Sequence, residues 1–147
     1  MSLFSPSRDE VREFFFNAWS KFKANKALTD LEKLSLSVMH MHPEYHPILD
    51  APDQFKHQEY FPEFGETNPF LHMSLHLSII EQISINQPIG IANIYQQLKL
   101  KHQEEHNAQH DILECLAESI WHAQRNNTAL DAGYYEQLLQ QKANKLA

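Results

Sequence analysis

The chain has 147 residues, 42% of them hydrophobic, and a formal net charge of −7. This composition excludes wholesale disorder, and the acidic balance makes nucleic acid a poor candidate partner. The length suits a single domain over residues 1–147, and the single cysteine excludes an internal disulfide framework. No apolar run approaches the roughly 18 residues that span a bilayer, and no signal-peptide pattern is present. We therefore expect a cytoplasmic protein without a membrane partner.

The spacing of apolar residues predicts an all-α fold, because they recur at helical rather than alternating intervals. Only 3 glycines occur in the chain, which also disfavours sandwiches and barrels. We predict a helical bundle of five to six helices with one irregular, proline-rich segment at about residues 43–67.

Capping boxes mark the first two predicted helices. Ser7 begins a helix over about residues 7–24, and a second box begins a helix over about residues 29–41. This second helix should end there because Pro43 disfavours helical geometry at His42. The residues expected to be buried on the first helix are Val11, Phe14, Phe15, Ala18, Trp19 and Phe22. The second helix carries the apolar residues Leu31, Leu34, Leu36 and Val38.

Prolines dominate the next part of the chain, where we expect short helical turns and an extended loop. Asn68 then has the features of an N-cap, with Pro69 at the first helical position, and the helix should continue to about Asn86. The remaining predicted elements are a turn at 87–90, a helix at 91–100, a break near 102, a long helix at 104–125, a loop at 126–131 and a final helix ending near 144.

Two histidines interrupt the apolar stripe of the helix that begins NPFLHMSLH. His72 and His76 are four residues apart, so they differ by about 40° around the helix. Ile79 and Ile83 lie in the same sector. Both histidines are therefore predicted to face the core.

The long helix repeats this arrangement with His106 and His110, which lie beside its apolar face. Glutamates at its margin could act as auxiliary ligands or as acceptors that orient an imidazole ring. These are Glu105, Glu114 and Glu118.

A third histidine pair, His42 and His46, lies in the sequence HPEYH just after the second helix. Histidines one helical turn apart can direct their ring nitrogens at one ion, and neutral imidazole is the commonest protein metal ligand. The cores of helical bundles are known places for such sites.

These pairs support the hypothesis of a metal-binding helical protein, either a metal-dependent hydrolase or an oxidative enzyme. The cofactor would be a divalent transition metal, with zinc, iron, nickel, copper and manganese all open, in a mononuclear or a dinuclear site. No stretch matches a catalytic motif, so no catalytic residue is assigned. The predicted ligands are His42, His46, His72, His76, His106 and His110.

The alternative hypothesis is a non-enzymatic module for protein–protein interaction, whose histidines serve packing or act as a pH switch. Exposed aromatic residues of the proline-rich loop would then form the contact. A homodimer is compatible with both hypotheses. The candidate contact residues are Phe55, Tyr60, Phe61 and Phe64.

The segments HPEYH, NPFLHMSLH, QPIGI and EHNAQHDILECLAESIWHAQR, in this order, resemble a bacterial family known as domain of unknown function 1841. The resemblance covers most of the chain, and the paired-histidine segments are its most specific parts. It implies a small, cytosolic, single-domain bacterial protein. It implies no activity, substrate or cofactor, so the metal hypothesis depends on the histidine geometry alone.

Overall fold

The computed structural model describes residues 8–61 and 65–145. Ser7, Pro62 and Phe64, which entered the sequence predictions, lie outside these residues. The described chain is all-helical, as predicted, and has no strand. It has eight α-helices rather than five or six, because two single-turn helices in the proline-rich segment add to the six longer ones.

The helices, in chain order, have the following bounds. They are α1 (Arg8–Lys23), α2 (Asp30–Met41), α3 (His46–Leu49), α4 (Pro52–Phe55), α5 (Pro69–Ile85), α6 (Ile91–His102), α7 (Glu105–Arg125) and α8 (Ala132–Asn144), with a 3₁₀ turn at Pro43–Tyr45 between α2 and α3.

Caps account for the starts of α2 and α5. The hydroxyl of Thr29 accepts from the Glu32 N–H, while the Glu32 carboxylate accepts from the Thr29 N–H, so the predicted capping box is confirmed. The side chain of Asn68 accepts from the N–H groups of Phe70 and Leu71. Pro69 occupies the first turn, where its missing N–H costs nothing.

The break between α6 and α7 occurs at Gln103, one residue after the predicted position. Gln103 adopts a left-handed conformation with φ of 56°, which ends α6. At the other end of α6, Gly90 has φ of 99°, a conformation that favours glycine.

The chain divides into two compact units, Met1–Leu77 and Ser78–Ala147. In the first unit, α1 packs against α2 and α3, and the buried side chains include Phe15, Trp19 and Met39. Phe22 is 40% exposed, so the prediction that it is buried is wrong. Leu31, an apolar residue of α2, is 45% exposed. Each lies at an end of its helix, where the apolar stripe has fewer neighbours to cover it.

In the second unit, α6, α7 and α8 pack against one another in all three pairs. Leu98, Ile112 and Leu139 are among its buried side chains. Within the part of the chain that the structure describes, no helix has both the length and the apolar composition needed to cross a membrane.

Candidate metal centre

His42 lies where α2 ends and the 3₁₀ turn begins. Pro43 follows it, and the backbone of His42 has left helical geometry, with φ of −126° and ψ of 67°. Its ring is 2% exposed. The end of the helix therefore turns this imidazole into the interior.

A carboxylate holds one nitrogen of this ring. The Nδ1 of His42 lies 3.1 Å from Oε2 of Glu44, a largely exposed residue of the 3₁₀ turn. Because an ionised carboxylate can only accept, Nδ1 carries the proton of the neutral ring and Nε2 keeps its lone pair. This is the arrangement that orients a metal-ligating histidine.

The second and third imidazoles come from α5. His76 is fully buried, and its Nδ1 lies 3.2 Å from Nε2 of His42. His72, one turn earlier, is half-buried. Its ring centre lies 4.6 Å from that of His42 and 6.1 Å from that of His76. The inward direction predicted for both residues is thus realised fully for His76 and partly for His72.

His42, His72 and His76 each offer a ring nitrogen, and these three atoms lie within 4.8 Å of one another. A tetrahedral zinc ion with Zn–N bonds of about 2.0–2.1 Å separates its nitrogen ligands by about 3.3 Å. The 3.2 Å between Nε2 of His42 and Nδ1 of His76 is close to that value. The cluster could therefore hold a metal ion.

Tyr45 forms one wall of this cluster. Its ring is stacked on that of His42, with ring centres 5.1 Å apart and an angle of 16° between the planes. Burial, with a smaller contribution from the Glu44 carboxylate, raises the pKa of Tyr45. Its phenol is therefore neutral over the physiological pH range.

His46 faces a different environment from its predicted partner His42. Its Nε2 donates to the carbonyl oxygen of Met39 at 2.8 Å, and its ring packs on that of Trp19 with ring centres 4.6 Å apart. These contacts fix the ring between α1 and the end of α2, where it contributes to packing.

His106 and His110 lie on α7 in the second unit, and both are half-buried. Their Nε2 atoms are 3.0 Å apart, and the two rings are nearly perpendicular. One of the two nitrogens must donate and the other accept if both rings are neutral. The two imidazole rings of this predicted pair are therefore in contact.

The three glutamates proposed as auxiliary groups each have a partner other than histidine. Glu105 forms an ion pair with Lys99 at 3.5 Å, and Glu114 accepts from Lys142 at 2.9 Å. Glu118 accepts from the hydroxyl of Tyr134 at 3.3 Å. Their partners give each of them a structural role on the surface of the second unit.

Sequence reasoning assigned no role to Glu44 and Tyr45, which the structure places against His42. A signal was available, because both follow His42 within three residues and Pro43 enforces a turn there. The spacing of the histidine pairs predicts candidate ligands, but it does not predict the residues that orient them.

The fold and this site define a small all-α protein with a cluster of buried histidines. The chain belongs to the family described as domain of unknown function (DUF1841), whose profile matches residues 7–141. No curated protein and no solved structure is significantly similar to it.

Proposed function

We propose that this protein binds one divalent transition-metal ion through His42, His72 and His76. The observation that supports the proposal is the proximity of these three ring nitrogens, within 4.8 Å of one another. Two of these rings are 2% or less exposed, so an ion bound between them would be shielded from water.

The hydrogen bond between His42 and His76 marks the position where an ion could bind. Glu44 directs the lone pair of His42 at Nε2 towards His76, so without metal these two rings share the proton on Nδ1 of His76. An ion at this position would bind the lone pair of each facing nitrogen. The proton of His76 would then move to the other nitrogen of its ring, so that both imidazoles stay neutral.

The ligand set narrows the choice of metal. Imidazole suits zinc, copper, iron and nickel, whereas manganese and magnesium prefer carboxylate and water oxygen. Among the described residues, the Glu44 carboxylate contacts one of these rings, and it does so at the nitrogen of His42 that faces away from His76. We therefore favour the first four metals over manganese.

The number of protein ligands decides what the ion can do. With four protein ligands a tetrahedral ion is coordinatively complete, which is typical of structural sites. With the three imidazoles named here, a water molecule would take the fourth position, and such a water can become a nucleophile near neutral pH. A metal-dependent hydrolase or oxidative enzyme is therefore an extension of this proposal.

Elemental analysis of untagged protein tests the proposal. We expect about one transition-metal ion per chain, and a severalfold lower content in His76→Ala. The matched control is His57→Ala, because the side chain of His57 is 68% exposed. Circular dichroism of both variants checks that the helices are retained.

Two results would overturn the proposal. One is a metal-free protein that also fails to bind zinc, copper, nickel or ferrous iron when these are titrated in. The other is a folded His76→Ala variant that keeps the full metal content.

A further inference from the structure

Arg12, on α1, is a buried cation with an incomplete set of partners. The residue is 1% exposed. Its Nη1 donates to the backbone carbonyls of Phe55, Lys56 and Gln58, at 3.3, 3.1 and 2.8 Å. Its Nε and Nη2 are buried and have no hydrogen-bond partner among the described residues.

This state is energetically unfavourable. A guanidinium has five N–H donors, and a charge removed from water is costly unless it is both paired and hydrogen-bonded. Desolvation accordingly lowers the pKa of Arg12. Glu59, an acidic residue close to it in space, is paired instead with Arg8 at 3.1 Å. Asp9 and Glu59 are close enough to favour the charged form of Arg12, but Nε and Nη2 remain donors without an acceptor among the described residues.

Two aromatic rings flank the guanidinium. Its central carbon lies 4.7 Å from the ring centre of Phe70 and 5.6 Å from that of Tyr60. Such cation–π contacts involve the face of the guanidinium plane. The N–H groups lie in that plane, so the rings leave them without an acceptor. The buried Tyr60 hydroxyl also has no partner among the described residues.

A cavity of about 240 Å³ adjoins this group. Arg8 and Arg12 line it from α1, and Asn68, Leu71 and Ser74 line it from the beginning of α5. A water molecule takes about 30 Å³ in the liquid, so the cavity has room for a larger group. The N-terminal end of a helix carries a partial positive charge, and α5 is 17 residues long.

We propose that this cavity binds an oxyanion, the phosphate or carboxylate group of a small molecule, with Arg12 as its principal ligand. The oxyanion accepts from Nε and Nη2 of Arg12, a parallel pair of donors that matches two oxygens. The beginning of α5 adds a favourable partial charge, and Arg8 would add its own charge on leaving Glu59. Nε and Nη2 of Arg12 have no accessible surface, so the anion reaches them when the exposed side chains of Arg8 and Leu71 rotate.

The Arg12 side chain can be observed directly by ¹H–¹⁵N NMR of the full-length, metal-free protein. The chain has three arginines, Arg8, Arg12 and Arg125, so Arg8→Gln and Arg125→Gln assign the three Nε–H signals. Inorganic phosphate and acetate are titrated separately, with sodium chloride at equal ionic strength as the reference. We expect a saturable shift of the Arg12 signal with at least one oxyanion and none with chloride.

Variants test the contribution of each charge. Arg8→Gln should weaken oxyanion binding about two- to fivefold, the effect of one partly exposed charge. Lys33→Gln, the same charge change at an exposed position of α2, should leave it unchanged. Arg12→Lys keeps the charge but loses the paired donors, and should weaken binding at least tenfold if it folds.

The proposal is overturned if the Arg12 signal of the folded wild-type protein shows no shift with either oxyanion, or the same shift with chloride. Arg12 would then only anchor the backbone at residues 55–58. Because the protein is metal-free throughout, this outcome is independent of the histidine site.

Discussion

The two ring nitrogens of His42 have different partners, and the partner of Nδ1 determines which way Nε2 points in the proposed metal site. Glu44 holds Nδ1 at 3.1 Å, and Nε2 faces Nδ1 of His76 at 3.2 Å. The carboxylate fixes both the tautomer and the direction of the ring, as in other histidine ligands with an acidic partner. The exposed Glu44 thus acts on the interior through one hydrogen bond.

Replacing Glu44 by glutamine tests this positioning role. Glu44→Gln removes the charge that favours Nδ1–H, so we expect metal affinity to fall about 10- to 100-fold. Competition with a chelating dye measures the dissociation constant. The matched control, Glu13→Gln, makes the same change at an exposed site of α1 and should have no effect. Equal affinities for the two variants would contradict the role assigned to Glu44.

Cys115 provides a second prediction at the residue scale. Burial raises the pKa of its thiol from 9.0 to about 11. Only the thiolate reacts with iodoacetamide, so we expect alkylation of the folded protein at pH 9 to be more than tenfold slower than in denaturant. The rate should rise towards pH 11. Since the folded state holds this proton more tightly, the same thiol makes folding less stable as pH rises from about 9 to 11.

Cys115→Ala controls for any reaction at other side chains, and mass spectrometry follows the modification. Cys115 is 3% exposed, so its thiol should be shielded in the folded protein. Alkylation at equal rates in the folded and the unfolded protein would contradict this.

Sequence spacing identified the histidines but not their individual roles. His72 and His76 lie within one regular helix, so the rule of 40° for four residues applied to them. His42 has left the helix and His46 begins the next one, with a 3₁₀ turn between them. The angular rule for helices does not apply across such a junction. His46 therefore donates to the carbonyl oxygen of Met39 and does not face His42.

At the scale of single elements, the capping box of α2 combines a local signal with a tertiary contact. Besides its bonds to Thr29, the Glu32 carboxylate accepts from Lys21 of α1 at 2.9 Å. Two hydrogen bonds lower the pKa of Glu32, the larger effect coming from the Thr29 N–H and the smaller from Lys21. The cap therefore also joins α2 to α1, near the start of the helix whose other end positions His42.

Thr29→Ala should destabilise the protein by about 1 kcal/mol, because it leaves the Glu32 N–H without its acceptor. Urea unfolding followed by circular dichroism measures the change. Thr128→Ala, in the exposed loop before α8, is the control and should change stability by less than about 0.5 kcal/mol. A Thr29→Ala variant as stable as this control would mean that the cap contributes nothing.

Helix boundaries were predictable because caps and prolines are local signals. The starts of α2 and α5 lie within a residue of their predicted positions. Arg12 could not be assigned in the same way. Its acceptors are 43 to 46 residues away, in a segment without periodicity. Nothing on α1 itself distinguishes a buried arginine from a solvated one.

For the whole molecule, the structure gives two compact units within a chain for which we predict one domain. The long helix α5 begins in the first unit and ends in the second. The single-domain prediction stays a prediction, and one cooperative thermal transition would support it.

Metal should stabilise the whole protein in a manner that depends on pH. A ligand at 100 times its dissociation constant stabilises the folded state by about 2.7 kcal/mol. Protonated imidazole cannot bind metal, and its ordinary pKa is about 6.5. The gain should therefore be complete above about pH 7.5 and disappear towards pH 5. Thermal unfolding with and without zinc across this range measures it, with His76→Ala as the variant that should gain less stability at the same zinc concentration.

The central claim is that imidazole nitrogens from separate segments bind one ion. X-ray absorption at the zinc edge of the zinc-loaded, untagged protein tests this claim most directly. The proposal predicts three or four nitrogen ligands at about 2.0–2.1 Å, with the multiple scattering of imidazole rings, and one fewer in His76→Ala. Bound zinc without imidazole scattering, or with the same imidazole count in His76→Ala, would contradict it.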